Sequence, residues 1–105
     1  MFDSLAMELH ANAVDKGFWP EDVDDIFVTK QLMMIVSEAV EVMEAIRKDK
    51  GEEEVADEMA DILIRTLDLY AGLVEHGYTT VSLDYALTKK TRFNTERPKK
   101  HGVRF

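Results

Sequence analysis

The residues whose types and spacing suit chemistry lie between positions 38 and 61. Glu38-x-x-Glu41 is followed, after sixteen residues, by Glu58-x-x-Asp61. Within each pair the spacing is three, so on a helix both carboxylates leave one face. Between the pairs, Lys48-Asp49-Lys50-Gly51 is the one glycine-marked break in the region. If the chain folds back there as two antiparallel helices, residues reflected about the break meet at equal depth. Glu38 with Asp61, and Glu41 with Glu58, both reflect about the same point inside it. Four carboxylates then converge at one level of a helical hairpin, where they repel unless a cation neutralises them. Carboxylates with no cysteine in the chain and no well-spaced histidine favour a hard divalent ion, Mg²⁺, with Mn²⁺ as a substitute. A di-iron bundle would carry Glu-x-x-His on its helices, but His10, His76 and His101 lie elsewhere. Mg²⁺ held by a few carboxylates completes its shell with water and phosphate oxygens, so a polyphosphate is the fitting substrate.

The opposite pole of the chain has the charge to hold one. Net charge is −8, yet the last seventeen residues hold seven of the thirteen Lys and Arg and one acid, Glu96. Lys90 and Arg97 are placed to clamp distal phosphates, while Lys89, and Lys99 and Lys100 in the basic tail over 96–105, suit solvated positions. The acidic body argues against wrapping nucleic acid. The apolar run at 32–36 is too short to span a membrane, and MFDSLAMELH has no basic segment followed by an apolar one, so it does not read as a secretory signal. A soluble cytoplasmic protein is expected, folded as one domain over 1–105.

The elements that must position these groups are helical. Phe2, Leu5, Ala6, Leu9 and Ala13 recur at helical spacing over 2–16, with Asp3 or Ser4 as cap and Gly17 as stop. Phe18 and Trp19 then stand in a loop, as plugs for the core or, for one ring, as a wall for a planar base. A second helix is expected over 27–48. On its wheel Glu38 is surrounded by Gln31, Met34, Ile35, Val42 and Ala45, inside the apolar sector. Burying a bare carboxylate costs several kcal/mol or more, on the order of the cost of any unpaired charge. Glu38 therefore needs a partner, either a cation or a salt bridge to Arg65.

A third helix is expected over 52–76. Glu54, Asp57, Glu58, Asp61 and Asp68 form one stripe with Arg65, and an apolar arc covers well over half the wheel. That arc is broader than packing on one side requires, and implies a surface for another subunit. Glu54-x-x-Asp57 repeats the spacing of Glu58-x-x-Asp61, and only the reflection argument favours the latter pair. His76-Gly77 closes this helix. Thr80 or Ser82 can cap a fourth over about 81–95, with Val81, Leu83, Tyr85, Ala86 and Phe93 available for packing. No strand pattern is present. The fold class expected is all-α: a four-helix-type bundle around a central antiparallel hairpin, assembled as an oligomer.

These residues resemble the ExxE…ExxD signature of the MazG-like all-α nucleoside triphosphate pyrophosphohydrolases. The flanking words IVSEAVEVMEAIR and DEMADILIR are similar too, as are Lys90-x-x-x-Asn94-x-x-Arg97-Pro98 and the HGVRF ending. KGFW at 16–19 is similar to an N-terminal KGWW-like element of small members. The resemblance implies Mg²⁺-dependent cleavage of a nucleoside triphosphate to the monophosphate and pyrophosphate, by a homodimer or homotetramer. It implies Glu38, Glu41, Glu58 and Asp61 as metal ligands, with Glu41 also orienting the attacking water. Lys90, Asn94 and Arg97 become phosphate-binding residues, and Trp19 and Gln31 the base site. Two alternatives remain open: a non-catalytic helical nucleotide-binding or oligomerisation module, or the same fold acting on phosphoribosyl-ATP or another nucleotide.

Overall fold

A computed structural model describes residues 1–98. Among them are four α-helices and no strands: α1 (Phe2–Asp15), α2 (Asp25–Arg47), α3 (Glu52–Glu75) and α4 (Leu83–Glu96). The helix boundaries follow from local chemistry. α2 begins two residues before the expected start because Asp24 caps it, its side chain accepting the Phe27 N–H at 2.8 Å. α4 begins two residues after the expected start because Ser82 is the cap, accepting from Tyr85 N at 3.1 Å. α2 ends at Arg47; just beyond it Asp49 takes a left-handed φ of 51° while Lys50 N donates to Ala45 O at 2.9 Å. Gly51, at φ 101°, then turns the chain into α3.

α3 is the centre of the molecule. It packs against α2 along one side and α1 along another. The core between them is thin: Ala6, Val28, Ala45, Leu67 and Leu69 are its buried apolar residues. Ile35, Met34 and Val42 of α2 are half-buried beside Glu38, as the wheel placed them. α2 also carries a second apolar face, with Leu32, Met33, Val36, Val40, Met43 and Ile46 exposed, and α3 exposes Met59, Leu63 and Ile64.

α4 departs from the expected bundle. Its packing is on α1, and none of its residues is buried. Tyr85 and Phe93, expected to pack inward, are 61% and 54% exposed. The reason lies in how the helix is fastened. The N-termini of α1 and α4 cap each other: the Asp3 carboxylate accepts from Ser82 Oγ, Leu83 N and Asp84 N, and the Asp84 carboxylate accepts from Phe2 N, Asp3 N and the Met1 ammonium. Each carboxylate meets the orphan N–H groups and the positive dipole end of the other helix. These contacts hold the Asp84 carboxyl well below the usual carboxylate range, the Met1 ammonium first and the two backbone N–H groups next. α4 is thus attached at its N-terminus, and the rest of it is free to project.

Candidate metal and nucleotide site

α2 carries Glu38 and α3 carries Glu58 and Asp61, one turn apart on the latter. Where the two helices pack, one carboxylate oxygen from each of these three residues lies within 4.8 Å of the other two. Two oxygens on one Mg²⁺, at about 2.0–2.1 Å each, stand roughly 3 Å apart when adjacent and roughly 4 Å apart when opposite. The observed group is therefore compact on the scale of a metal shell. The donors are all carboxylate oxygens, which suits a hard cation. The electrostatics agree. Partial burial first, then the charges of Asp61, Glu41, Glu38 and Glu54, raise the Glu58 carboxyl above its ordinary value.

Glu41 stands outside the three-oxygen group and is exposed, but its charge reaches Glu58. Glu54 also acts on Glu58 from one turn away, whereas Asp57 is exposed and joins neither set. Of the two equally spaced pairs on α3, Glu58 and Asp61 are the one in the close group.

Of the two partners that its wheel position left open, Glu38 has the arginine. Arg65 Nε donates to its Oε1 at 2.9 Å, with Glu38 15% and Arg65 39% exposed at the side chain. A carboxylate has two oxygens, so an arginine on one and a cation on the other are compatible. The guanidinium offsets one charge of the cluster and fixes the Glu38 rotamer at the cavity wall.

Beside the cluster is a cavity of about 530 Å³, lined by Glu38, Asp61, Arg65 and Asp68 together with Gln31, Met34, Phe18 and Trp19. Leu9, Asn12 and Ala13 of α1 complete it, with Lys30 of α2. Its volume falls in the range of small-molecule sites, and it has the usual apolar wall with a few polar groups. Trp19 and Gln31 are therefore in the same cavity as two of the acids. Phe18, 70% exposed, is no core plug. Trp19 packs on Phe27, His10 and His76, with ring centroids at 5.1, 4.6 and 5.9 Å. Its indole lies over Gly72, where the missing side chain lets the ring approach the α3 backbone.

Lys90, Asn94 and Arg97 are gathered with each other but not with the acids. Arg97 Nη1 donates to Asn94 Oδ1 at 3.1 Å, and the Lys90 and Arg97 cations lie 5.7 and 5.3 Å from the centre of the Phe93 ring. No α4 residue lines the cavity that holds Glu38 and Asp61. The HGVRF ending and the tail beyond Pro98 lie outside the described residues.

Sequence reasoning passed over His10 and Asp68 as a site element. Their signals were present: His10 lies among Ala6, Leu9 and Ala13 on the apolar stripe of α1, and Asp68 follows Asp61 by seven on the acidic stripe of α3. Nothing local said that the two would meet.

The model of the MazG nucleotide pyrophosphohydrolase domain matches residues 28–99, more than half of the chain. This chain belongs to the MazG family. No curated protein and no solved structure matches it. The MazG match spans α2, α3 and α4, hence both acidic pairs and the Lys90–Arg97 segment. It begins at Val28, so His10 and Trp19 are supplied from outside the matched MazG region. Among the described residues of this MazG protein no helix is long and apolar enough to cross a membrane.

Proposed function

We propose that the protein hydrolyses a nucleoside triphosphate, dNTP or NTP, to the monophosphate and pyrophosphate, using Mg²⁺ or, as a substitute, Mn²⁺. The observation that carries this reading is the group of Glu38, Glu58 and Asp61 opening onto a cavity walled by Trp19, in a chain of the MazG family. Bound by Glu38, Glu41, Glu58 and Asp61, the ion would polarise phosphoryl oxygens and lower the pKa of a bound water. The protein groups do the rest. Arg65 holds Glu38 in place. Glu41, the acid standing off the tight group, accepts a proton from the attacking water and orients it. Trp19 stacks on the base and Gln31 hydrogen-bonds its edge. Lys90 and Arg97 neutralise the distal phosphates and the Asn94 amide donates to them, so that charge building on the leaving pyrophosphate is stabilised.

The last role requires assembly. We place α2 and α3 in a central antiparallel hairpin, with a homodimer or homotetramer burying its outer apolar faces. Two observations support this. Leu32, Met33, Val36, Val40, Met43 and Ile46 of α2 and Met59, Leu63 and Ile64 of α3 are exposed, outnumbering the five buried apolar residues of the core. And α4 carries its phosphate-binding cluster on a projecting arm, so a neighbouring copy can bring that cluster to the acids. A soluble cytoplasmic enzyme, binding neither nucleic acid nor membrane, completes the proposal.

The test is a panel of NTPs and dNTPs, with phosphoribosyl-ATP included, incubated with Mg²⁺ and scored for pyrophosphate. One or more should yield it, and Glu38→Gln should lower the rate by at least about a hundredfold, the upper end of the effect of an outer-shell partner. Parental activity in Glu38→Gln would remove the proposed site. Nucleotide binding with no turnover of any member would make the protein a binding module instead.

A further inference from the structure

Behind Trp19 lies a chain of ionisable side chains that the proposed chemistry does not use. The indole Nε1–H donates to Asp68, at 3.1 Å to Oδ1 and 3.3 Å to Oδ2. The same Oδ1 lies 2.9 Å from His10 Nδ1, and the other ring nitrogen of His10 lies 2.6 Å from Glu75 Oε2. Asp68 and Glu75 are two turns apart on one face of α3, and His10 of α1 bridges them. His10 is the one buried polar or charged side chain among the described residues. A neutral imidazole carries a single N–H, so the imidazolium form is the one that donates to both carboxylates. In that form the ring offsets the charge of Asp68 where the carboxylate is partly desolvated, and fixes its rotamer. Asp68 in turn leaves the indole one orientation, with its edge tied to the carboxylate, one face over Gly72 and the ring plane 6° from that of His76. The imidazole also meets the indole edge-on, at 83°.

We infer that His10 is a positioning residue for the nucleotide cavity: tied to Glu75 and Asp68, it sets the indole of Trp19 as a rigid wall. His10 lines a second cavity, on the Glu75 side of α1 and α3, and does not line the one that holds Glu38. It therefore acts on a ligand through Trp19 rather than by touching it. Of these residues, Asp68 and Glu75 lie inside the region matched by the family model, and His10 and Trp19 lie before it. The kinetic part of the inference rests on the pyrophosphohydrolase reading; the orientation of Trp19 does not.

Trp19 is the only tryptophan, so its fluorescence reports the wall directly. His10→Leu keeps an apolar body and removes both ring nitrogens. Its emission should move to longer wavelength and acrylamide should quench it more strongly, while Mn²⁺ binding stays at the parental level. With whichever of the eight common NTPs and dNTPs the parent turns over fastest, KM should rise roughly three- to tenfold with kcat held within about twofold, as expected for the loss of one ordered stacking contact. Asp68→Asn should move emission and KM in the same direction. If His10→Leu does not fold, Glu75→Gln, at an exposed carboxylate, should give a smaller shift of the same sign. Parental emission, quenching and KM in a folded His10→Leu, or parental emission in Glu75→Gln where His10→Leu fails to fold, would overturn the inference. Failure of every nucleotide to react, with the emission shift intact, would remove the enzyme reading and leave His10 as the residue that sets Trp19. Turnover with unmoved emission would do the reverse.

Discussion

Gly72→Ala is the substitution whose sign most sharply separates the tertiary structure from local propensity. By helix propensity alone, alanine inside α3 should stabilise the protein by about 1 kcal/mol. The structure says otherwise. A Cβ on Gly72 would lie 2.6 and 2.7 Å from Trp19 Cζ2 and Cζ3, and closer still to Cη2. Carbon atoms rest at about 3.5–4.0 Å, so the ring must retreat by roughly 1 Å or more. It has little room to do so: Asp68 holds its nitrogen, His76 stacks on it, and Phe27 and His10 flank it. Overpacking of this kind costs about 1–3 kcal/mol, and full expulsion of the indole approaches the roughly 3–5 kcal/mol of a tryptophan truncation. After the propensity gain, the net loss is about 0–2 kcal/mol if the ring shifts and about 2–4 kcal/mol if it is expelled, and in a domain of this size each kcal/mol lowers Tm by roughly 4–8 °C. Urea or thermal unfolding measures the loss, and emission of the single tryptophan reports the displacement. The decisive control is the same substitution made in Trp19→Ala, where the sign should reverse and alanine should stabilise by about 1 kcal/mol. An alanine variant as stable as the parent, with unshifted emission, would refute the placement of Trp19 on α3.

Two further outcomes follow from the capping contacts and the acidic cluster. Asp3→Ala removes acceptors from three donors at the start of α4, and should cost about 1–2 kcal/mol, the upper range for a lost helix cap. Its small-angle scattering should show α4 released from α1 while the packing of α1 to α3 persists. Glu58→Gln should raise Tm at pH 7 without metal and abolish any stabilisation by Mg²⁺. The sign follows from the raised value of Glu58: the ionised carboxylate opposes folding above that value. The advantage of the variant should therefore shrink as pH falls through it toward the ordinary glutamate value of 4.5, where both side chains become neutral. A lower metal-free Tm for Glu58→Gln would contradict the crowding of these acids.

Most of the cluster could be read from the sequence because it is written in helical spacing. Glu38 was marked by its apolar neighbours, and those neighbours are half-buried around it. Reflection about the Lys48–Gly51 break chose Glu58 and Asp61 over Glu54 and Asp57 where local pattern could not. It also overstated the symmetry, since two packed helices bring three carboxylates to one point and leave Glu41 at the edge. What escaped the sequence depends on contacts between distant elements. The mutual capping of Asp3 and Asp84 joins residues eighty-one apart, and it directs α4 away from α2 and α3. The apolar residues of α4 gave no warning, because the same Tyr85 and Phe93 pattern serves a buried or an exposed helix. The bridge from Glu75 through His10 to Asp68 was equally silent, since each residue is ordinary within its own helix.

The carboxylates beside the Trp19 cavity are proposed to direct metal-dependent cleavage between the α- and β-phosphorus atoms. ³¹P NMR of a reacting nucleoside triphosphate measures this most directly. With Mg²⁺, monophosphate and pyrophosphate should appear in equal amounts, and neither should appear when the ion is chelated. Diphosphate with inorganic phosphate, or undiminished turnover in the chelator, would contradict it.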